Sequence, residues 1–273
     1  VAVLSRQYVP RGALSACVKC FWYWEGAPQT HAQERLMPNG EASLVFNLRD
    51  EPIRIYEDDA CGGFRSCGRA VISGARTRSF VIDSAQQDRV FGIQFAPGGA
   101  FPFFRAPVSE MENLSVDLDD LWPGVATELR ERLLAAETID AMFLLTERYL
   151  IAQIVKPLEL HPAVCFAREQ LSRRSHLVRV ATVMDGIGMS QRRFIQLFHE
   201  QVGLTPKAFS RVRRFQRILE TIPRANDVNW IDLALGCGYY DQAHFIHDFR
   251  EFSGLTPTQY LARATEHLNH VPI

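Results

Sequence analysis

Apolar positions follow two different rhythms along this chain. Up to about residue 105 they come in short or alternating runs, such as CFWYW, SLVFNL and VFGIQF. Turn-forming residues interrupt them at Pro38-Asn39-Gly40, Asp50-Glu51-Pro52, Cys61-Gly62-Gly63 and Pro97-Gly98-Gly99. This pattern predicts strands at residues 18–24, 43–48, 53–56, 70–73, 80–82 and 90–95. Many short strands so spaced suggest a small barrel or sandwich. From about Asp119 the spacing becomes helical: Leu129, Leu133 and Leu134, then Met142, Leu145, Tyr149 and Leu150, predict two helices ending near Val155. Pro157 and Pro162 flank a connector. It divides the chain into a β-rich unit with two closing helices (1–156) and a unit of helices and turns (161–273). The expected fold class is an α+β domain followed by an all-α domain with two helix-turn-helix units.

The second unit contains a repeat. QRRFIQLFHEQVGLTP at 191–206 aligns without gaps on QAHFIHDFREFSGLTP at 242–257, with nine of 16 positions identical at an offset of 51. Upstream, Val183-Met184…Gly188 lies on Leu233-Ala234…Gly238 at an offset of 50, with one extra residue in the second turn. Such self-similarity marks a structural unit used twice. Each copy reads as helix, tight turn, helix. Val180, Val183, Met184 and Ile187 form one apolar stripe, and Gly188 is expected to end that helix in a left-handed conformation. Ser190 and Asp241 stand at the N-cap of the following helix. Phe194, Leu197 and Phe198 form its buried face, and Gly203 stops it. Thr205-Pro206 and Thr256-Pro257 each start another helix, with proline where its missing N–H does no harm. Two helices joined by a short glycine-containing turn describe a helix-turn-helix.

Charge narrows the partner. The 273 residues carry 30 Lys+Arg against 31 Asp+Glu, a net of −1. That average hides an asymmetry: residues 1–156 hold 16 basic and 20 acidic groups, residues 157–273 hold 14 and 11, and residues 168–217 hold 11 and 3. A local basic field in a neutral chain points to a polyanion bound at one place. The solvent stripe of the second helix supplies the chemistry: Arg192, Gln196 and His199 fall at i, i+4 and i+7, beside Gln191 and Arg193. Arginine suits guanine O6 and N7, glutamine suits adenine N6 and N7, and both reach phosphate. In the second copy the stripe is Ala243, His247 and Arg250, flanked by Gln242 and His244. It is weaker, because residues 218–273 hold three basic and seven acidic groups. Arg211, Arg213, Arg214 and Arg217 on the helix between the copies either reach phosphates or form internal ion pairs.

Residues from about 161 to 261 resemble the DNA-binding domain of AraC-type (AraC/XylS) transcriptional regulators. The most specific stretch is LALGCGYYDQAHFIHDFREFSGLTPTQY at 233–260, where Gly238-Tyr239, Phe245, Phe249, Gly254 and Thr256-Pro257-x-x-Tyr260 fall on that family's signature. The resemblance implies seven helices in two helix-turn-helix units joined by the long helix after Pro206, each unit placing one helix in the major groove. It implies DNA contact at Ser190, Gln191, Arg192, Arg193 and Gln196, and at Gln242, His244, His247 and Arg250. His247 stands where the family commonly has arginine, and Met184 where a small residue is usual. Double-stranded DNA, the transcription machinery and a second copy of the chain are the implied partners. The first half resembles the sensor-type domain of one branch of these regulators, at Met37-Pro38-Asn39-Gly40, Leu44-Val45-Phe46-Asn47-Leu48 and FGIQFAPGGA (91–100). Such domains are barrel-like and bind a small effector or mediate dimerisation. Trp22, Trp24, Phe46 and Phe95 are the expected lining of an apolar effector pocket.

Other chemistries find little support. A cupin-type metal site needs several His or carboxylate ligands, and the first half holds only His31. No Gly-rich phosphate loop, nucleophile elbow or His-Glu-x-x-His motif occurs, so neither catalysis nor a cofactor or metal is expected. The six cysteines are expected to be reduced. Cys17 and Cys20, read as lying on one strand, would face opposite ways. The alternative to effector control is a thiol switch at Cys61 and Cys67, or at Cys17, responding to redox state or electrophiles. No run approaches the roughly 18 apolar residues of a membrane helix, and VAVLSRQYVPRG carries no basic leader with an apolar core. A bacterial-type, cytoplasmic regulator is therefore the expectation.

Overall fold

The six strands expected from alternation all form, with ends within one residue of expectation. The computed structural model describes residues 3–26, 31–56, 63–173, 180–222 and 228–273. In chain order the strands of the first half are β1 (Leu4–Tyr8), β2 (Val18–Glu25), β3 (Gln33–Leu36), β4 (Ser43–Asn47), β5 (Arg54–Tyr56), β6 (Arg65–Ser66), β7 (Ala70–Ser73), β8 (Phe80–Asp83), β9 (Arg89–Phe95) and β10 (Ser115–Asp117). Three helices follow: α1 (Leu118–Leu121), α2 (Val125–Ala135) and α3 (Ile139–Ala152). The strands missed by alternation, such as β3 with Gln-Glu-Arg-Leu and β6 with Arg-Ser, have no period-two apolar pattern. They are strands because a neighbour offers them a ladder, a tertiary cause.

Two antiparallel sheets result. One has the order β1-β2-β9-β4-β7-β10, the other β11-β3-β8-β5-β6, where β11 (His270–Pro272) arrives from the far end of the chain. In the larger sheet Phe21 pairs with Ile93 and Tyr23 with Phe91, while Leu44 and Phe46 continue the same two rows. That face is buried under α2 and α3, against Leu129, Leu133, Met142 and Phe143. The opposite face carries Trp22 beside Gly92 and Val45, and Val45 beside Val71. It looks toward Ile55 and Phe80 of the smaller sheet, and Ile53 just before β5. Trp22 needs Gly92: a Cβ there would collide with the indole.

The second half has seven helices among the described residues: α4 (Pro162–Arg173), α5 (Val180–Asp185), α6 (Gln191–Val202), α7 (Pro206–Thr221), α8 (Trp230–Gly236), α9 (Gln242–Ser253) and α10 (Pro257–Arg263). Phe194, Phe198, Phe209, Phe215, Phe245 and Phe249 are fully buried in their common core. The glycine expectation holds in one copy only. Gly238 is left-handed, at φ 81°, but Gly188 is not among the residues with positive φ; the first turn closes instead through Ile187 N–H donating to the Met184 carbonyl at 3.0 Å.

Two features depart from an all-α second half standing apart from the first. Its core takes in Met37 and Ala75 of the first half, and residues 270–272 leave the helices to pair with β3. Gly40, at φ 74°, lets the Pro38-Asn39-Gly40 turn lie on α7, where a Cβ would sit 3.4 Å from the Phe209 ring. Gln216 Nε2 donates to the Pro38 carbonyl at 2.8 Å beside it.

Candidate nucleic-acid interface

α6 and α9 are built from the same parts. Ser190 Oγ accepts from the Arg193 N–H at 3.4 Å, and Asp241 Oδ1 from the His244 N–H at 2.7 Å. Gly203 and Gly254 end the two helices with φ of 90° and 70°. Each cap satisfies a backbone group that would otherwise have no partner at a helix end.

In α6, Phe194, Leu197 and Phe198 are buried, which turns Gln191, Arg192, Arg193 and Gln196 outward, and all four are exposed. Gln196 Nε2 donates to Glu200 Oε1 at 2.7 Å. His199, the last member of the stripe, faces the first half instead, with its Nε2 2.8 Å from Glu112 Oε2. In α9, Gln242, His247 and Arg250 are exposed and His244 is half-buried, its ring edge-on to Tyr239 at 5.2 Å. His244 lies 3.7 Å from Asp248, and His247 3.7 Å from Glu251. The second stripe therefore presents one guanidinium group, Arg250, and two imidazoles already beside carboxylates, where the first presents two guanidinium groups.

Asp248 follows His247 but does not share its surface. Its carboxylate is buried and accepts from Arg211 Nη2 at 2.7 Å, and the same guanidinium bonds Glu251. The hydrogen bond from Arg211 holds the Glu251 carboxyl below its ordinary range, and the bond to Glu251 pushes Arg211 further up. Arg213 Nη1 reaches the Asn39 carbonyl at 3.5 Å, and Arg214 lies over the Tyr239 ring at 5.2 Å. Of the two roles open to the inter-copy arginines, Arg211 and Arg213 take the internal ion pair, Arg213 lying 4.0 Å from Glu41, while Arg214 is engaged by the ring. Arg217 stays exposed. A cleft of about 360 Å³ separates α7 from α9, lined by Lys207, Arg211, Arg214, His244, His247 and Asp248.

The four residues expected to line one effector pocket do not share a face. Phe46 and Phe95 are fully buried beneath the helices, with Phe46 6.4 Å from the Phe91 ring and Phe95 5.6 Å from the Phe103 ring. Trp22 and Trp24 are half-buried on the opposite, inner face. The period of two along β2 makes this division, so only the tryptophans remain available to a ligand. Burial raises the thiol pKa of Cys17, Cys20 and Cys237, which disfavours the reactive thiolate. Cys61 lies outside the described residues, and Cys67 is buried. No described helix is long and apolar enough to cross a membrane.

Two partners of this site escaped the sequence reading. Glu112, which holds His199, lies 87 positions away from it. Asp248 was visible as an acid after His247, but its partner 37 positions upstream was not.

Residues 184–263 match the family described as a helix-turn-helix domain, and residues 6–117 match a domain of unknown function, DUF6597. No curated protein matches the sequence significantly. Among solved structures, the chain is similar to ToxT from Vibrio cholerae at 11% identity, covering 96% of this chain and 98% of that one, with a TM-score of 0.44. A ToxT structure from the same organism with a bound unsaturated fatty acid is similar at 10% identity, over 95% and 94% of the two chains, with a TM-score of 0.42. The chain thus joins a DUF6597 domain to a helix-turn-helix domain of the AraC type, the DNA-binding half of that family of transcriptional regulators.

Proposed function

We propose that this protein is a sequence-specific regulator that reads double-stranded DNA chiefly through α6, with α9 as a weaker second reader, and that a small effector in the first half controls it. The observation that carries the reading is the outer face of α6. Gln191, Arg192, Arg193 and Gln196 are exposed together on a helix whose opposite face is locked into an aromatic core. Such a helix offers its polar face to a major groove as a rigid unit. Two such helices in one chain suit successive groove segments about 10 bp apart. For the effector, support comes from the half-buried indoles of Trp22 and Trp24 on the inner face of the larger sheet. Of the thiol-switch alternative, the Cys17 form is disfavoured because burial raises that thiol. In this reading the protein binds and releases, and carries out no chemical step.

Selection of bound duplexes from a random pool tests the DNA reading. The expected result is an enriched motif with a strong element and a weaker one about 10 bp away, bound with an affinity that falls steeply as salt rises. No enrichment, or affinity flat with salt, would overturn it. The effector half is tested by screening small molecules for a shift in tryptophan emission that is lost in Trp24→Phe.

A further inference from the structure

We infer that the edge of β3 is a strand-docking site whose ligand is the chain's own segment 264–273, and that this docked segment keeps the two reading helices in a low-affinity arrangement. The regulatory half of this inference rests on the DNA-binding reading above; the docking half does not.

From Leu268 onward the segment is held at each step. Tyr260 Oη donates to the Leu268 carbonyl at 2.7 Å, and Gln216 Nε2 of α7 donates to Asn269 Oδ1 at 2.8 Å. The Met37 N–H donates to the Asn269 carbonyl at 2.9 Å. His270, Val271 and Pro272 then pair with Leu36, Arg35 and Glu34, and the Ile273 N–H donates to the Gln33 carbonyl at 3.0 Å. Val271 is 1% exposed. Glu34, on the inner row of the smaller sheet with Ile82 and Ile55, accepts from both sides: His270 Nδ1 lies 2.8 Å from one oxygen and His31 Nε2 2.9 Å from the other. An extended segment that completes a sheet edge, with alternate side chains seated in the fold, is a recurrent mode of peptide recognition.

The first half, to which this segment ties α7 through Asn269, also grips both reading helices. At the end of α6, Glu112 takes His199, and Gly203 lies against Ala75 and Val108. At the end of α9, the Ser79 N–H donates to the Phe252 carbonyl at 2.8 Å, and Arg35 Nη1 lies against Gly254. The first half thereby fixes how α6 and α9 are disposed to each other. It also sets the Glu112 carboxylate beside the α6 stripe, where it repels an approaching phosphate. Through that carboxylate the docked state is the weaker DNA binder.

The same contacts make the segment releasable. Its strand is three residues long, and it borders a groove of about 270 Å³ lined by Leu219, Ile222, Tyr260, Ala264 and Leu268. His267 stands edge-on to Trp24 with ring centroids 6.4 Å apart. A ligand that stacks on Trp24 has to displace His267, so occupancy of the inner face and docking of the segment oppose each other. Linkage then carries effector binding to the reading helices.

The test compares the full chain with Val271→Asp, His270→Ala and a deletion of 264–273. Hydrogen exchange at the Met37 amide reports docking, and fluorescence anisotropy with a selected duplex reports DNA affinity. The expected result is at least tenfold faster exchange in Val271→Asp, at least threefold tighter DNA binding, and reversal of both in the deletion variant when a synthetic 264–273 peptide is added. Glu112→Gln should tighten DNA binding with exchange at Met37 unchanged. Unchanged exchange in both Val271→Asp and the deletion overturns the docking half. Faster exchange with unchanged or weaker DNA binding overturns the regulatory half. If no form binds DNA while the peptide still restores slow exchange, the DNA reading and the regulatory half fall and the docking half stands.

Discussion

Gln196 and His247 occupy the same position of the repeated helix, and each has a glutamate four residues on. The consequences differ because their neighbours do. Glu200 accepts a hydrogen bond from Gln196, whereas Glu251 is engaged by Arg211 and lies 3.7 Å from His247. Beside Gln196 stand two exposed arginines; beside His247 stand Ala243 and a half-buried His244. Arg192→Ala and Arg193→Ala should each weaken binding to a selected duplex by about 1–3 kcal/mol where a bidentate base contact is lost. His247→Ala should cost less than either in the same anisotropy titration. Equal losses at all three positions would contradict the ranking of the two helices. The identities and exposure of the α6 stripe were legible in the sequence, because period-3.6 burial of Phe194, Leu197 and Phe198 fixes what faces outward. The diversion of His199 to Glu112 was not, since nothing local encodes a contact with a residue 87 positions away.

At the level of elements, the repeat is a repeat of caps as much as of cores. Thr205 accepts from the Ala208 N–H, and Thr256 accepts from the Gln259 N–H while Gln259 Oε1 takes the Thr256 N–H in return. Ser, Thr or Asp at each start, and glycine at the ends of α6 and α9, made these boundaries readable in advance. Thr256→Ala removes one side of that reciprocal pair and should lower unfolding free energy by about 1 kcal/mol in urea titration, with Thr256→Ser restoring most of it. A loss below about 0.3 kcal/mol would mean that burial of Tyr260, and not the cap, fixes α10. Gly188 shows the limit of such reading: its turn closes without a left-handed residue, although its counterpart Gly238 adopts one. The strands tell the same story. β2 and β9 were visible from their own alternation, whereas β3 and β6 are strands only through their partners.

For the whole molecule, the joining of the two halves has a titratable component at Glu34. Burial alone would raise its pKa, but hydrogen bonds and charge from His270 and His31 outweigh that and hold it below the ordinary 4.5. A carboxyl lowered in the folded state contributes stability that is fully present above its unfolded pKa and lost as pH falls through its folded one. Glu34→Gln should therefore lower the thermal midpoint at pH 7, and the gap from the parent protein should close as pH falls below about 4. Melting curves from pH 3 to 7 check this; a gap independent of pH would mean that the carboxylate charge contributes nothing to holding the segment.

The sequence by itself determined the two core rhythms, the duplicated helix-turn-helix and the residues α6 offers to a partner, because periodicity, caps and glycine stops act over a turn or two of chain. Tertiary structure alone decided which face of β2 the tryptophans occupy relative to Phe46 and Phe95, where the inter-copy arginines spend their charge, and that residues 270–272 complete a sheet begun at residue 33. Each of those depends on which distant backbone edge or carboxylate comes to lie alongside, and a local pattern carries no record of it.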